Sequence, residues 1–180
     1  MTKTRNRLIS VGIGLLLFIS AALFIIPQKM AGAETWIESA TEFAAGNGSQ
    51  GAPYQISTAG ELANLAKMVN GGETDENTYF ELTADINLGG KEWTPIGTKD
   101  NRFLGKFNGN GNTIKNLKIS GGDSGLFAYS SGEIRSIYLD NVDITASMNP
   151  GNAGGVCVFN SGTIDGCGVL SGNIRCASSY

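Results

Sequence analysis

Carboxylates are the first residues to consider for chemistry, because the chain contains no histidine. A glycosidase needs two carboxyl groups roughly 5 to 9 Å apart. The candidates are Asp140, Asp143 and Asp165. Residues three apart on a strand face opposite sides, so Asp140 and Asp143 do not converge on one substrate if a strand carries both. We therefore predict turn and solvent-facing roles for these side chains and no catalytic residue.

Redox chemistry, a disulfide or a thiolate metal site would have to use the three cysteines, Cys157, Cys167 and Cys176. They lack CxxC spacing, and their odd number leaves at least one thiol free. In the internal repeat described below, Cys157 replaces Phe127 and Cys167 replaces Ile137, which favours buried apolar packing. A disulfide involving Cys176 and, less favoured, metal or redox chemistry are the alternatives.

Two further motifs raise the question of a bound ion or nucleotide. The acidic stretch 73–77 offers oxygen ligands for calcium, but it lacks the ligand spacing of an EF-hand, so a solvated loop is favoured. Gly109-x-Gly111 leads into no predicted helix, although a nucleotide-binding glycine loop requires one. We expect no metal and no cofactor.

Aromatic side chains are the candidates for ligand contact, above all Trp93, Tyr129 and Phe159. Rings that face outward could stack on sugars. Tyr129 and Phe159 occupy equivalent positions of the repeat, which predicts one exposed column. Packing at the corners of the fold is nevertheless the favoured interpretation of these rings. The partners expected for such a surface are glycans or proteins of the host or of the cell envelope.

Composition excludes several classes of function. The 180 residues include 26 glycines, 13 lysines and arginines, and 16 aspartates and glutamates, for a net charge of −3. The absence of histidine excludes a Ser-His-Asp triad, a Cys-His dyad and an imidazole zinc site. The charge also argues against nucleic acid as a partner, because phosphate binding needs a basic patch.

The N-terminal segment has the features of an export signal. An uncharged, largely apolar run over 8–28 follows three basic residues, Lys3, Arg5 and Arg7. The polypeptide after this segment is predicted to be secreted or exposed at the cell surface. Four of the 13 basic residues and none of the acidic ones lie within 1–33, so the remaining 147 residues carry 9 and 16, a net charge of −7.

The predicted end of this signal peptide, 1–33, is a small-x-small motif formed by Ala31 and Ala33, with cleavage before Glu34. An uncleaved anchor is the alternative, because an apolar run of about 19 residues can span a bilayer. We expect membrane contact only through this segment.

One helix is predicted after a flexible, glycine-rich segment over 34–53. Four apolar residues share a face at i, i+3, i+4 and i+7, namely Leu62, Leu65, Ala66 and Val69. Thr58 and Glu61 can form a capping box, with Ser57 as the competing cap, and Gly71-Gly72 ends the helix. We assign residues 54–78 to this helix and its loop.

From residue 79 onward, short alternating segments are separated by Gly, Asn, Asp and Ser, which is typical of strands and turns. An offset of 30 residues aligns Gly125–Ile134 with Gly155–Ile164, and an offset of 20 aligns Gly105 and Phe107 with Gly125 and Phe127. Repeats of this size without helices predict a mainly β fold, a parallel β-helix or β-solenoid over 79–180.

In a solenoid of this kind, equivalent apolar residues stack in columns. The offsets predict three columns: Ile114, Ile134 and Ile164; Leu117, Ile137 and Cys167; and Ile119, Leu139 and Val169. An open end would expose strand edges, so we expect the helix to cap the N-terminal end. No closing cap is evident before Tyr180, so the repeats are expected to be incomplete at the C-terminus.

The segment Gly154–Cys167 resembles the GLUG repeat of exported bacterial surface proteins, including certain large IgA-type peptidases. Tyr54–Ala63 resembles the helical lead-in to such repeats, and Phe107–Ile114 resembles one of their first coils. Ala128 and Val158 depart from the pattern, which usually has glycine there. The resemblance implies an architectural or adhesive module and carries no catalytic residues.

These features together predict an exported structural or adhesive surface module without catalytic activity. The alternatives are a carbohydrate-binding or carbohydrate-active β-helix protein, either a glycoside hydrolase or a polysaccharide lyase, and an accessory region of a larger exported peptidase.

Overall fold

A computed structural model describes residues 35–147 and 151–177. The predicted signal peptide, 1–33, and the predicted cleavage site at Ala31, Ala33 and Glu34 lie outside these described residues. Within the two described ranges, no helix is long and apolar enough to cross a bilayer.

The described residues form one short 3-10 helix (Trp36–Ser39), one α-helix, α1 (Ala59–Asn70), and fourteen strands of two to five residues. The strands are β1 (Tyr54–Ile56), β2 (Tyr79–Leu82), β3 (Ile86–Asn87), β4 (Lys106–Asn108), β5 (Thr113–Lys115), β6 (Lys118–Gly121), β7 (Phe127–Ser130), β8 (Glu133–Arg135), β9 (Tyr138–Asp140), β10 (Val142–Ala146), β11 (Cys157–Asn160), β12 (Thr163–Asp165), β13 (Gly168–Val169) and β14 (Gly172–Cys176).

The strands build four parallel sheets that run along one solenoid. Sheet 1 has the order β1-β2-β4-β8-β12, sheet 2 the order β3-β5-β9-β13, sheet 3 the order β6-β10-β14, and sheet 4 pairs β7 with β11. Successive turns of the chain add strands to the same sheets, so that every coil pairs with the coil before it. The predicted fold class is confirmed: the protein is a β-solenoid of about four turns with little helix.

The register of sheet 1 gives the length of each coil. Lys106 pairs with Tyr79, Glu133 with Lys106, and Thr163 with Glu133, so successive coils contain 27, 27 and 30 residues. The predicted 30-residue offset is therefore confirmed between the last two coils. It correctly pairs Cys157 with Phe127, as well as Ile164 with Ile134, Val169 with Leu139, and Ile174 with Ile144.

The predicted 20-residue offset is wrong. It placed Phe107 on Phe127 and Ile114 on Ile134, whereas Phe107 pairs with Ile134 and Ile114 with Leu139. Phe107 and Phe127 belong to β4 and β7 of one coil, and their rings meet edge to face with centroids 5.6 Å apart. The offset failed because the Gly-x-Phe motif occurs twice within a single turn of the solenoid.

A longer turn between β4 and β5 explains why one constant offset does not fit all four sheets. β4 pairs with β8 at an offset of 27 residues, but β5 pairs with β9 at an offset of 25. The turn contains Asn110 and Gly111, both in the left-handed region with φ of 52° and 76°. Glycine and asparagine tolerate this conformation best. With these residues, the turn between β4 and β5 is two residues longer than the turn between β8 and β9 in the next coil.

α1 starts as predicted. The hydroxyl of Thr58 accepts a hydrogen bond from the Glu61 amide at 3.2 Å, and the Glu61 carboxylate accepts from the Thr58 amide at 3.0 Å, which completes a capping box. Glu61 is only 4% exposed and also accepts from the amides of Ser57 and Ala44. The helix start is thus tied to the segment before it as well as to its own first turn.

α1 closes the N-terminal end of the solenoid, as predicted. Its predicted apolar face belongs to the same hydrophobic core as the coils. Asn70 at its end donates from Nδ2 to the carbonyl of Pro95 at 3.1 Å and accepts from the amide of Gly97 at 2.7 Å. These bonds attach the helix to the first coil.

Residues 35–53, the described part of the segment predicted to be flexible, form a layer over α1 that makes specific contacts. Trp36 donates from Nε1 to the carbonyl of Leu88 at 2.9 Å, and Phe43 stacks on Tyr54 with ring centroids 4.6 Å apart. Its glycines suggested flexibility, but two of them, Gly46 and Gly48, occupy left-handed turns that fold the layer back onto β1.

Candidate functional site

Tyr129 and Phe159, two of the three predicted ligand-facing aromatics, form a column on sheet 4. They pair in register, and their rings stack 4.7 Å apart at an interplanar angle of 16°. The guanidinium of Arg102 lies over the Tyr129 ring at 5.6 Å from its centroid. Since the three residues come from successive coils, Arg102 and Phe159 cover opposite faces of Tyr129.

This stacking limits what the column can bind. A sugar ring stacks on the face of an aromatic side chain, and both faces of Tyr129 are occupied. Phe159 is 37% exposed, whereas Tyr129 is partly buried. Of the two stacked rings, Phe159 thus has more accessible surface for contact with a ligand.

Hydrogen bonds fix the edge of Tyr129. Its hydroxyl donates to Asp123 Oδ2 at 2.6 Å, and Asp123 Oδ1 accepts from Asn152 Nδ2 at 2.9 Å. The bond to Asp123 raises the pKa of Tyr129. Burial alone would raise the pKa of Asp123, but the bonds from Tyr129 and Asn152 hold it below its usual value. These hydrogen bonds hold the Tyr129 side chain in one orientation, and its hydroxyl stays protonated near neutral pH.

Trp93, the third candidate for ligand contact, packs in the core and does not face a ligand. Trp93 is only 2% exposed, and its indole nitrogen donates to the carbonyl of Leu126 at 3.3 Å. Its amide also bonds to the carbonyl of Lys118 in the next coil. The indole fills the interior of the first coils because a large apolar ring gains most from leaving water, and its single donor finds a carbonyl there.

The candidate carboxylates lie on three different sheets. Asp140 ends β9 of sheet 2, Asp143 lies in β10 of sheet 3, and Asp165 ends β12 of sheet 1. Asp140 accepts a hydrogen bond from the Ser171 hydroxyl at 2.6 Å, and Asp165 pairs in register with Arg135. These partners fit the turn and surface roles predicted for the carboxylates.

The cysteines are unpaired, and two of them pack as predicted. Cys157 and Cys167 are partly buried against the hydrophobic core, whereas Cys176 is exposed. Burial raises the pKa of the Cys157 thiol to about 11. Cys167 lies 3.3 Å from the carbonyl of Asp165 and 3.6 Å from that of Ile134. The two buried sulfurs therefore act as small core side chains.

The two polar loops have structural roles. In the acidic stretch 73–77, Asp75 Oδ1 accepts from the Asn77 amide and from the Thr78 hydroxyl, both at 2.9 Å, which closes a turn. Across the described part of the chain, no group of three or more cysteine, aspartate or glutamate side chains is placed to hold a metal ion. Gly109-x-Gly111 forms the turn between β4 and β5.

A shallow polar groove, which sequence reasoning missed, crosses four coils where sheet 2 turns into sheet 3. Its volume is about 710 Å³. It is lined by Gly89, Gly90, Asn116, Leu117, Lys118, Asn141, Val142, Asp143, Asn173 and Arg175. The correct 25-residue offset would have revealed it, because that offset brings Lys118 beside Asp143.

Asparagines at the corner form one wall of this groove. Asn116 and Asn141 adopt left-handed backbone conformations, with φ of 57° and 54°. Lys118, Asp143 and Asn173 follow one another across β6, β10 and β14 in register. The groove thus combines a cation, a carboxylate and amide groups, which suit hydrogen bonding to a hydroxyl-rich ligand.

Comparison with known proteins gives two relatives of large size. A protein of Evansella cellulosilytica named as a Gly-rich membrane protein is 36% identical over 141 residues, covering 72% of this chain and 16% of the relative. Halomucin of Haloquadratum walsbyi is 29% identical over 147 residues, covering 72% of this chain and 2% of halomucin. The chain thus spans a small part of each relative. No protein-family model and no solved structure match it.

Proposed function

We propose that this chain is an exported structural or adhesive module of a cell surface, built from GLUG-type coils and without catalytic activity. The observation that carries the proposal is the continuous solenoid core, in which α1 and the first three coils share one hydrophobic cluster and Cys167 of the last coil packs against it. The separation of the candidate carboxylates onto three sheets adds support, because hydrolysis of a glycosidic bond needs two carboxyl groups close together.

The surface location draws support from two sources. The relatives are named as a Gly-rich membrane protein and a halomucin, names that fit large envelope proteins. Residues 1–33 have the charge and apolar pattern of an export signal.

The test of the surface location is expression with an epitope tag at Tyr180, followed by protease treatment of intact cells and N-terminal sequencing. We expect a protease-accessible chain that begins at Glu34; an intracellular, uncleaved chain would refute the proposal.

A carbohydrate-binding function is the second candidate, favoured by the polar groove between sheets 2 and 3. Its volume of about 710 Å³ has room for a short oligosaccharide. Lys118 would donate hydrogen bonds to sugar hydroxyls and Asp143 would accept hydrogen bonds from them, which would supply specificity. Phe159 does not line this groove.

Residues 34–180 are the polypeptide for these tests, since the described residues bury their own core. A glycan array identifies the ligand. The double substitution Lys118→Ala/Asp143→Ala should then weaken binding roughly tenfold or more, the effect of losing hydrogen bonds to charged groups. Lys99→Ala, on an exposed loop, is the matched control. Absence of any bound glycan would eliminate this candidate, and reducing-sugar release from a polysaccharide would contradict the non-catalytic proposal.

A further inference from the structure

One face of α1 lies under the layer over 35–53. The Thr41 amide donates to the carbonyl of Gly60 at 3.0 Å, and a Cβ atom at Gly60 would lie 2.6 Å from the Thr41 hydroxyl oxygen. The layer and the helix are therefore in close contact at this point. Asn64 and Lys67 follow Gly60 at i+4 and i+7, so they continue the same face toward the C-terminal end of the helix.

A small pocket opens on this face of α1, beyond the contact at Gly60. Its volume is about 240 Å³, below the roughly 300 to 1,000 Å³ of sites for drug-sized ligands. The layer contributes Phe43 to its lining, β1 contributes Tyr54, and α1 contributes Asn64. The pocket therefore suits a ligand of one small ring.

Asn64 is the residue that points to a ligand in this pocket. It is only 5% exposed, yet its side-chain amide has no hydrogen-bond partner among the residues that the structure describes. Glu61, the other buried polar residue of α1, accepts hydrogen bonds from the amides of Ala44 and Ser57. A buried amide without partners costs free energy that an apolar residue would avoid. Asn64 thus has donors and an acceptor left for a molecule in the pocket.

The other groups of the pocket select the kind of molecule. Phe43 and Tyr54 stack with ring centroids 4.6 Å apart and supply an apolar surface. Glu42, Lys67 and Glu73 also line the pocket, and none of them has an ion-pair partner within the described residues. A sugar ring has C–H groups that pack on aromatic rings, and its hydroxyls both donate to carboxylates and accept from an ammonium group.

The charges of the pocket favour a neutral ligand. Glu42 and Glu73 disfavour an anionic sugar, because two carboxylates outweigh the single ammonium group of Lys67. Lys67 in turn disfavours an organic cation, although aromatic rings such as those of Phe43 and Tyr54 can bind one.

We propose that this pocket binds one neutral sugar residue, with Asn64 hydrogen-bonded to its hydroxyls and the rings of Phe43 and Tyr54 packed against its C–H groups. The site is separate from the groove between sheets 2 and 3, because the two share no lining residue. The proposal therefore does not depend on glycan binding by Lys118 and Asp143.

The first test is saturation-transfer NMR of residues 34–180 with the methyl pyranosides of glucose, galactose, mannose and N-acetylglucosamine. We expect transfer to the ring protons of at least one of them, with a Kd of roughly 1 mM, as for a single small ligand. The side-chain amide signals of Asn64 should shift as that sugar is added, whereas those of Asn116 in the groove should not. Absence of transfer to all four sugars, or shifts confined to Asn116, would overturn the proposal.

Asn64→Leu separates binding from stability. This variant should raise the Kd of the bound sugar about tenfold, because it removes the donors and the acceptor. Its urea midpoint should be unchanged or higher, since leucine is the better helix former and needs no partner when buried. The groove variant Lys118→Ala/Asp143→Ala is the control and should keep the wild-type affinity. Wild-type affinity in Asn64→Leu, or loss of binding in the groove variant alone, would overturn the proposal.

Charged ligands test the chemical class. Methyl glucuronide adds a carboxylate to the sugar, and tetramethylammonium is a cation that suits aromatic pockets. Both should bind at least about fivefold more weakly than the neutral sugar. Lys67→Ala, at an exposed position, should raise the Kd of the neutral sugar about threefold by removing one hydrogen-bond donor. Tighter binding of the glucuronide or of tetramethylammonium would refute the assignment to neutral sugars.

Discussion

Asn141 donates from Nδ2 to Oδ1 of Asn116 at 2.7 Å, joining two successive coils at the same corner. Asn116 in turn donates from Nδ2 to Oδ1 of Asn87 at 2.8 Å, so the amides form a ladder along the solenoid. Asn116 and Asn141 are both left-handed, a conformation that asparagine tolerates better than most residues. The ladder therefore combines backbone geometry with hydrogen bonding between coils.

Replacement of Asn116 separates these two contributions. Asn116→Gly removes the side-chain hydrogen bonds of the ladder, but glycine adopts the left-handed backbone conformation without strain. Asn116→Ala removes the same bonds and adds strain of about 1 kcal/mol. We expect the alanine variant to have the lower free energy of unfolding in urea, by about that amount. Equal values for the two variants would show that backbone strain has no part in the choice of asparagine.

Glu61 makes the stability of the N-terminal cap dependent on pH. Burial alone would raise the pKa of Glu61, but hydrogen bonds from the Ser57 and Ala44 amides and from the Ser57 and Thr58 hydroxyls hold it below 4.5. Because the folded pKa is depressed, the stabilisation is present above about pH 4.5 and is lost as the pH falls through the lower folded value. Glu61→Gln should cost about 2 kcal/mol at pH 7.

The measurement is the difference in the free energy of unfolding between wild type and Glu61→Gln across this pH range. The difference should shrink as the pH falls, since protonation removes the charge from wild-type Glu61. Glu42→Gln, at an exposed position, is the control and should show little change. A difference that stays constant with pH would mean that the charge of Glu61 does not contribute.

Trp93 and Phe159 should respond differently to truncation. Trp93→Ala should lower the free energy of unfolding by about 3 to 5 kcal/mol, the usual cost of emptying a buried aromatic site. Phe159→Ala should cost less than about 1.5 kcal/mol, because it removes one stacked pair at an exposed position. Thermal and chemical denaturation compare the two. A mild effect of Trp93→Ala would contradict its assignment to the core.

The three cysteines should differ in reactivity. A thiol with a pKa of about 11 is only about a thousandth ionised at pH 8, and the thiolate is the reactive form. Iodoacetamide at pH 8 should therefore modify the exposed Cys176 at least about tenfold faster than Cys157. Mass spectrometry of peptides from timed samples gives the rates, and urea should abolish the difference. Equal rates in the native protein would contradict the burial of Cys157.

Local signals and equal coil lengths made much of the fold predictable. The capping box of Thr58 and Glu61 could be predicted because it depends on residues only three apart in sequence. The 30-residue offset was correct because strands β7 to β10 match strands β11 to β14 one by one, with no insertion in either coil. The 20-residue offset failed because Phe107 and Phe127 resemble each other yet belong to one coil. Similarity within a coil cannot be distinguished from similarity between coils by spacing alone.

Contacts distant in sequence account for the other errors. The layer over 35–53 is held by bonds such as Trp36 to Leu88, which no local pattern reveals. Trp93 was only a candidate for ligand contact, because aromatic rings serve both for packing and for ligand binding, and only its neighbours decide between the two roles. The groove arises from four coils brought together by a register that the predicted offset did not contain.

The sequential order of the parallel sheets has a consequence for how the chain acquires its structure. Each coil bonds to the coil that precedes it in sequence, and the first coil rests on α1. A polypeptide that emerges N-terminus first can therefore complete its helix and then wind on one turn after another. Each turn can therefore form on the turn before it without residues that are synthesised later, and the last turn formed is the template for the next turn.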